Sequence, residues 1–184
     1  MAKRITKVTT KKGDDGSTGM ADGTRVQKSN LLIKAIGELD ELNSWMGLLC
    51  SLEELNEHKE YLQSIQNRLF DIGGILITKS EVPLEKKYLL ALEKKTDHLN
   101  QQLPDLDNFI LPGGSKESSF IHITRTVCRR TERSLTEANR SKKLEQSCLV
   151  YINRLSDFLF VLARKVNLDS GNEELLWKLS LIHI

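Results

Sequence analysis

Proline and cysteine are scarce in this 184-residue chain, with three of each. With only 11 glycines besides, collagen-like and low-complexity folds are excluded. No apolar run reaches the roughly 18–20 residues that a membrane-spanning helix needs, so no membrane partner is expected. Aromatic residues make up 5%, too few to build an extended base-stacking surface. The 27 Lys and Arg nearly balance the 25 Asp and Glu, which removes the simplest electrostatic case for nucleic acid. The odd set Cys50, Cys128 and Cys148 contains no CxxC, and each lies in an apolar-periodic segment. They read as small buried hydrophobes in a reducing compartment. The N-terminal MAKRITKVTT has no hydrophobic secretory core, so the expected location is the cytoplasm. The four histidines (58, 98, 122 and 183) form no ligand cluster. Glu54 and His58 are four apart with no second copy, unlike the paired Glu-x-x-His of di-iron bundles, so no resident metal site is expected.

What is present is a globular composition, 39% hydrophobic and 28% charged, of a length that suits one domain over 1–184. Residues 1–29 stand apart as a polar, turn-rich arm with seven Lys and Arg against three Asp and no readable period. From residue 30 the pattern is helical. Leu32, Ile36, Leu39, Leu42, Met46 and Leu49 step by three or four. Ser51 and Glu54 have capping-box spacing, which predicts a second helix from Ser51 to about Thr78. A third is expected over Leu84–Leu103, bounded by Pro83 and Pro104. A fourth is expected from a Ser115 cap to about Asn139, and a fifth over Leu144–Val166. The run FLFVLA makes the fifth the central helix. The bundle thus covers 30–167, and the tail 168–184 is expected to hold one short helix near Trp177. The fold class is all-α: a five-helix up-and-down bundle, ferritin-like in general shape, with an irregular arm.

Five stretches carry residues with chemical potential, and each also has a plain structural explanation. TKKGDDGSTG (10–19) combines glycines, hydroxyls and Lys11 and Lys12, the ingredients of a phosphate-cradling nest, although the Walker pattern is absent. It is otherwise a solvated basic arm with a Gly-rich turn. In TRTVCRRTER, Arg125, Arg129, Glu132 and Arg133 share a helix face, with Arg130 to one side. A solvated ion-pair face would look similar, but four Arg and no Lys in nine residues favour the planar fork that suits phosphate. In YINRLSDFLF, Asn153, Arg154 and Asp157 interrupt an apolar helix, as a ligand group or as an internal salt bridge. In GELDELNS, Gly37, Asp40, Ser44 and Gly47 form a stripe of small and polar residues, where Asp40 calls for a cationic partner or faces solvent. FILPGG puts Phe109 on a surface loop, lining a pocket for a flat apolar ligand or folded back on the bundle.

In this order, TKKGDDGSTG, GTRVQK, GELDELNS, FILPGGS, TRTVCRRTER and YINRLSDFLFVLAR resemble the PduO-type ATP:cob(I)alamin adenosyltransferases over residues 7–167. The resemblance implies a homotrimer with active sites between subunits. It implies that Thr10, Lys11, Lys12, Gly13, Thr18 and Lys28 cradle ATP. Arg129, Arg130, Glu132 and Arg133 look like the family's ATP-binding helix segment, and Asn153 like its nucleotide-contacting Asn. Arg125 looks like an interface Arg paired with Asp40. Phe109 is similar to the aromatic that crowds the lower face of the corrin, and Arg154 and Asp157 fall in the C-terminal motif. Departures are Ile36, where the family commonly has an aromatic, and Ser29-Asn30-Leu31, where it often has Pro. The tail after Asn167 resembles nothing placed.

The reaction so implied moves the 5′-deoxyadenosyl group of ATP to cob(I)alamin, releasing triphosphate, with Mg²⁺ carried mainly by the ATP phosphates. Cobalt is the nucleophile, which fits a chain without a catalytic Ser, Cys or His set. Phe109, Arg129 and Asp157 would act at the reacting centre. A corrinoid reductase upstream and an adenosylcobalamin-dependent enzyme downstream are the implied partners. The competing readings are a non-catalytic nucleotide or cobalamin carrier or sensor on the same bundle, and a purely structural bundle.

Overall fold

The computed structural model describes residue 9 and residues 11–78, 82–141 and 143–178. The arm is more regular than its composition suggests. Strands β1 (Ser17–Gly19) and β2 (Arg25–Gln27) form an antiparallel hairpin in which Thr18 faces Val26. Three-residue strands are too short to show a period of two, so side-chain anchors define the hairpin instead. The Asp15 carboxylate accepts from the Ser17 amide at 2.9 Å and the Ser17 hydroxyl at 2.8 Å, an Asx turn. Buried Met20 pins the hairpin end to the bundle core.

Helix α1 (Leu31–Cys50) starts at Asn30, whose side chain accepts from the Leu32 amide at 2.9 Å. Ser51 closes α1 rather than opening the next helix. Its backbone is helical (φ −92°, ψ −9°) rather than extended as an N-cap requires, and its hydroxyl donates to the Leu48 carbonyl at 2.7 Å. A 3-10 segment (Glu53–His58) follows, anchored by buried Leu55, and α2 (Lys59–Thr78) begins only there. Helix α3 (Lys86–Asn100) is shorter at both ends than its apolar pattern. Ser115 caps α4 (Lys116–Ser141) as expected, accepting from the Ser118 amide at 3.1 Å, and Glu145 caps α5 (Gln146–Asp169). The tail holds no helix near Trp177 among the described residues. It runs extended, with Leu176 bridged to Ile110.

Around the bundle, α2 packs on α1, α1 on α4, α4 on α5 and α5 on α3, and one core joins all five helices. Phe158, fully buried, stands edge-on to Tyr61 at 5.5 Å. The core face of α4 is built of Ser118, Thr124, Thr131 and Ser134 among its apolar residues. The threonine hydroxyls return to their own helix, Thr124 to the Phe120 carbonyl at 2.9 Å, and Thr131 also reaches the Glu38 carbonyl of α1 at 3.0 Å. These short side chains satisfy their polar atoms locally and let α4 approach α1 closely. The outer face of α4 carries the exposed Arg129, Arg133 and Arg140.

Candidate active site

The loop before β1 is braced from within. Gly13 accepts from Lys28 Nζ at 2.8 Å, and a Cβ there would lie 3.0 Å from the Ser17 carbonyl oxygen, so only glycine fits comfortably. Arg25 reaches across the hairpin, donating from Nε to the Ser17 hydroxyl at 2.9 Å and from a terminal nitrogen to the Lys12 carbonyl. The two hydrogen bonds from Ser17 hold the Asp15 carboxyl below the usual range. Lys28 therefore holds the loop's shape, while Lys11 (φ 58°) and Lys12 are exposed. Thr10 lies outside the described residues. Asp15 and Arg25 brace the loop through Ser17, and the sequence reading singled out only the Ser17 hydroxyl. The Asp-x-Ser spacing was the available signal.

The outer face of α4 forms a groove of about 590 Å³ with α5, lined by Arg129, Glu132, Arg133, Thr136, Glu137, Arg140 and Asn153. Asn153 donates to Glu132 Oε1 at 2.8 Å, which engages the carboxylate without using an arginine. Arg133 donates to the Arg129 carbonyl at 3.1 Å. Three guanidinium groups thus line one groove beside a fixed carboxamide and carboxylate. Thr136, Glu137 and Arg140 were missed, although they continue the same helix face by steps of three and four.

Arg130 does not line this groove. It pairs with Glu41 of α1, and its hydrogen bond depresses the Glu41 carboxyl. Arg154 pairs with Glu93 of α3 at 3.2 Å, and Asp157 sits exposed one turn beyond Asn153. Partial burial raises the Asp157 carboxyl, against the opposing charge of Arg154. Arg125 is half-buried over the Phe160 ring, its Nε has no partner among the described residues, and burial followed by the charge of Arg129 lowers its pKa. Asp40 is exposed on α1, in an apolar groove with Ile33, Ile36, Phe70 and Ile77, where Phe70 is 70% exposed. Asp40 and Arg125 form no pair within the chain among the described residues.

Phe109 is 77% exposed on the loop before α4, held against the tail beside Arg164 at the far end of α5. From Asn153 to Arg164 the helix rises about 16 Å. The chain therefore does not gather Phe109 and the arginine groove into one compact pocket. Nor, among the described residues, does any hydrogen bond or ion pair link Lys11, Lys12, Gly13, Thr18 or Lys28 to that groove. Among the described residues no group of three or more His, Cys, Asp or Glu is placed to hold a metal ion, and no helix is long and apolar enough to cross a membrane.

The arrangement is that of a bundle with separate basic and apolar surfaces, and comparison with known proteins gives the family. The profile described as Cobalamin adenosyltransferase matches residues 8–166. The chain belongs to the cobalamin adenosyltransferase family. It is 45% identical over 179 residues to the cobalamin adenosyltransferase of Cupriavidus metallidurans, covering 97% of both chains. It is 40% identical to the corrinoid adenosyltransferase of Bacillus subtilis, covering 90% of this chain and 89% of that one. Among solved structures, a variant PduO-type ATP:corrinoid adenosyltransferase from Lactobacillus reuteri, complexed with cobalamin and ATP, superposes with a TM-score of 0.88 at 34% identity. That match covers 94% of this chain and 97% of that one. An Arg-to-Lys variant of the same enzyme, complexed with ATP, also gives 0.88 at 36% identity, over 93% and 100% of the two chains. The chain is therefore an adenosyltransferase-family bundle of the PduO type.

Proposed function

We propose that the chain is a corrinoid adenosyltransferase that transfers the 5′-deoxyadenosyl group of ATP to cob(I)alamin. The observation that carries this reading is the groove of Arg129, Arg133 and Arg140 beside an Asn153–Glu132 pair already hydrogen-bonded to one another. Arginine forks that form no ion pair among the described residues suit a polyphosphate. In the reaction the cobalt electron pair forms the Co–C5′ bond, the C5′–O bond breaks, and its electrons leave on triphosphate. Mg²⁺ enters as part of the ATP substrate. No proton needs to move at C5′, so the chain's own tasks are alignment and charge. The arginines take up charge as triphosphate departs, the Gly13 loop with Lys11, Lys12, Thr18 and Lys28 holds the nucleotide, and Asn153 orients it. Phe109 offers an apolar face that keeps a lower ligand off cobalt, which eases the preceding reduction to Co(I).

Asp157 stands beside Asn153 at the reacting end, and Arg130 braces α4 against α1. The site closes between copies of the chain. The roughly 16 Å between the arginine groove and the Phe109 end is then bridged by a neighbour's arm. The unpartnered Arg125 Nε takes the exposed Asp40 of that neighbour, and the Phe70 groove is covered in a homotrimer. Three buried free thiols suit the reducing cytoplasm.

The test is to mix the protein with MgATP, cob(II)alamin and a chemical reductant and to follow the corrinoid absorbance. Conversion to the adenosylcobalamin spectrum over many turnovers is expected. Binding of ATP and corrinoid without turnover would instead identify a carrier or sensor.

A further inference from the structure

Residues beyond 166 lie past the stretch that the family profile matches, yet the tail is tied to the Phe109 loop at several points. Arg164, 3% exposed near the end of α5, meets Glu174 through both arms of its fork, Nε to Oε1 at 2.7 Å and a terminal nitrogen to Oε2 at 3.0 Å. That terminal nitrogen also donates to the Pro104 carbonyl, where the loop begins, at 2.9 Å. Asn167, also buried, accepts from the Ser115 amide at 2.9 Å, where the loop ends, and donates to the Asn172 carbonyl at 3.3 Å. Gly114 (φ +96°) makes this closure possible, because a Cβ there would fall 1.8 Å from Asn167 Oδ1. Between these anchors the tail runs antiparallel to the loop. The Leu111 amide donates to the Leu175 carbonyl at 2.7 Å, the Trp177 amide to the Phe109 carbonyl at 2.6 Å, and Asn108 Nδ2 to the Trp177 carbonyl at 2.9 Å. The exposed Phe109 ring stands edge-on to Trp177, with centroids 6.4 Å apart and planes at 71°.

An exposed ring on a Pro-Gly-Gly loop has no core packing to hold it, and ordering such a loop costs conformational entropy. Backbone pairing at Phe109 and Leu111 removes that freedom before any ligand arrives. The Arg164–Glu174 pair keeps the pairing segment in place, because releasing Glu174 leaves a buried guanidinium without its counter-charge. We propose that Glu173–Trp177 is a strap that fixes the Phe109 ring for the corrin, with Arg164, Glu174 and Trp177 as positioning residues. The proposal rests on the role given to Phe109 above. The three residues act through Phe109 and not on the substrate.

Hydrogen exchange on the full chain reads the strap without any substrate. In Glu174→Gln the Leu111 and Trp177 amides should exchange about tenfold faster or more, with the α1 and α4 amides unchanged. Unchanged exchange at Leu111 and Trp177 overturns the strap. A second arm compares Trp177→Ala, Phe109→Ala and the double variant in adenosylation. Trp177→Ala should lower kcat/KM for cob(II)alamin about two- to tenfold, the size of one edge-to-face contact, and leave the Kd for ATP unchanged. In the Phe109→Ala background the same change should add nothing. Equal losses in both backgrounds, or a Kd for ATP that shifts in step, overturn the positioning role. If the wild type makes no adenosylcobalamin the functional reading itself fails, and if Phe109→Ala loses nothing the role of Phe109 fails while that reading stands. The positioning role falls in either case, and the exchange arm still judges the strap alone.

Discussion

Replacing Arg129 with Lys keeps the positive charge and removes the planar fork, so the swap separates geometry from charge. The side chain is exposed on α4, and its guanidinium makes no hydrogen bond or ion pair among the described residues. The plain alternative, a surface pair with Glu132, is not formed among the described residues, where Glu132 Oε1 instead accepts from Asn153 at 2.8 Å. A charge-assisted hydrogen bond to phosphate contributes about 1.5–3 kcal/mol. At about 1.4 kcal/mol per decade, Arg129→Lys should lower kcat/KM for ATP by roughly ten- to a hundredfold. The melting temperature should hold, since no packed or paired group is lost. Steady-state kinetics with ATP varied, run beside a thermal melt, reads both quantities. Full activity in the variant would refute the assignment, and so would a loss of activity that follows unfolding.

Asp40→Ala should weaken self-association by about 3–5 kcal/mol if the carboxylate meets the orphaned Arg125 of a neighbour, and light scattering across a dilution series would show it. An unchanged mass profile removes the pair. Deleting residues 1–19 takes away β1 and the braced loop but none of the helices, so helical circular dichroism should stay nearly intact while ATP binding is lost. Retained affinity in equilibrium dialysis would contradict the cradle. Burial, reinforced by the charge of Arg125, pushes His122 down from 6.5 to about 4. A depressed folded pKa gives stability that is complete above the unfolded value and lost as pH falls from about 6.5 toward 4. His122→Phe should therefore flatten the fall in melting temperature across that window, and parallel curves would clear His122 of the effect.

The helices were legible because each carries its own apolar period: Leu32 to Leu49 in α1, and the nearly continuous run that is buried in α5. The arginine face of α4 was legible for the same reason, because a helix converts spacing into a shared side. What sequence spacing could not supply was anything fixed by tertiary partners. Ser51 has the spacing of a cap, but the backbone at that point is still helical, so the hydroxyl turns back to Leu48. The pairing of Arg130 with Glu41 depends on how α4 crosses α1, which no local pattern encodes. The tail has an apolar cluster at Leu175, Leu176 and Trp177 that suggests a helix. Its partner is a loop more than 60 residues earlier, so strand-like pairing with Phe109 and Leu111 wins over local propensity.

The central claim is that C5′ of ATP moves to cobalt and leaves an intact triphosphate. The most direct measurement follows both products of one reaction, adenosylcobalamin by absorbance and the phosphate product by phosphorus NMR. Adenosylcobalamin and tripolyphosphate should accumulate in equal amounts, with neither appearing when ATP is withheld. Release of ADP or diphosphate, or tripolyphosphate formed without a matching rise in adenosylcobalamin, would contradict the account.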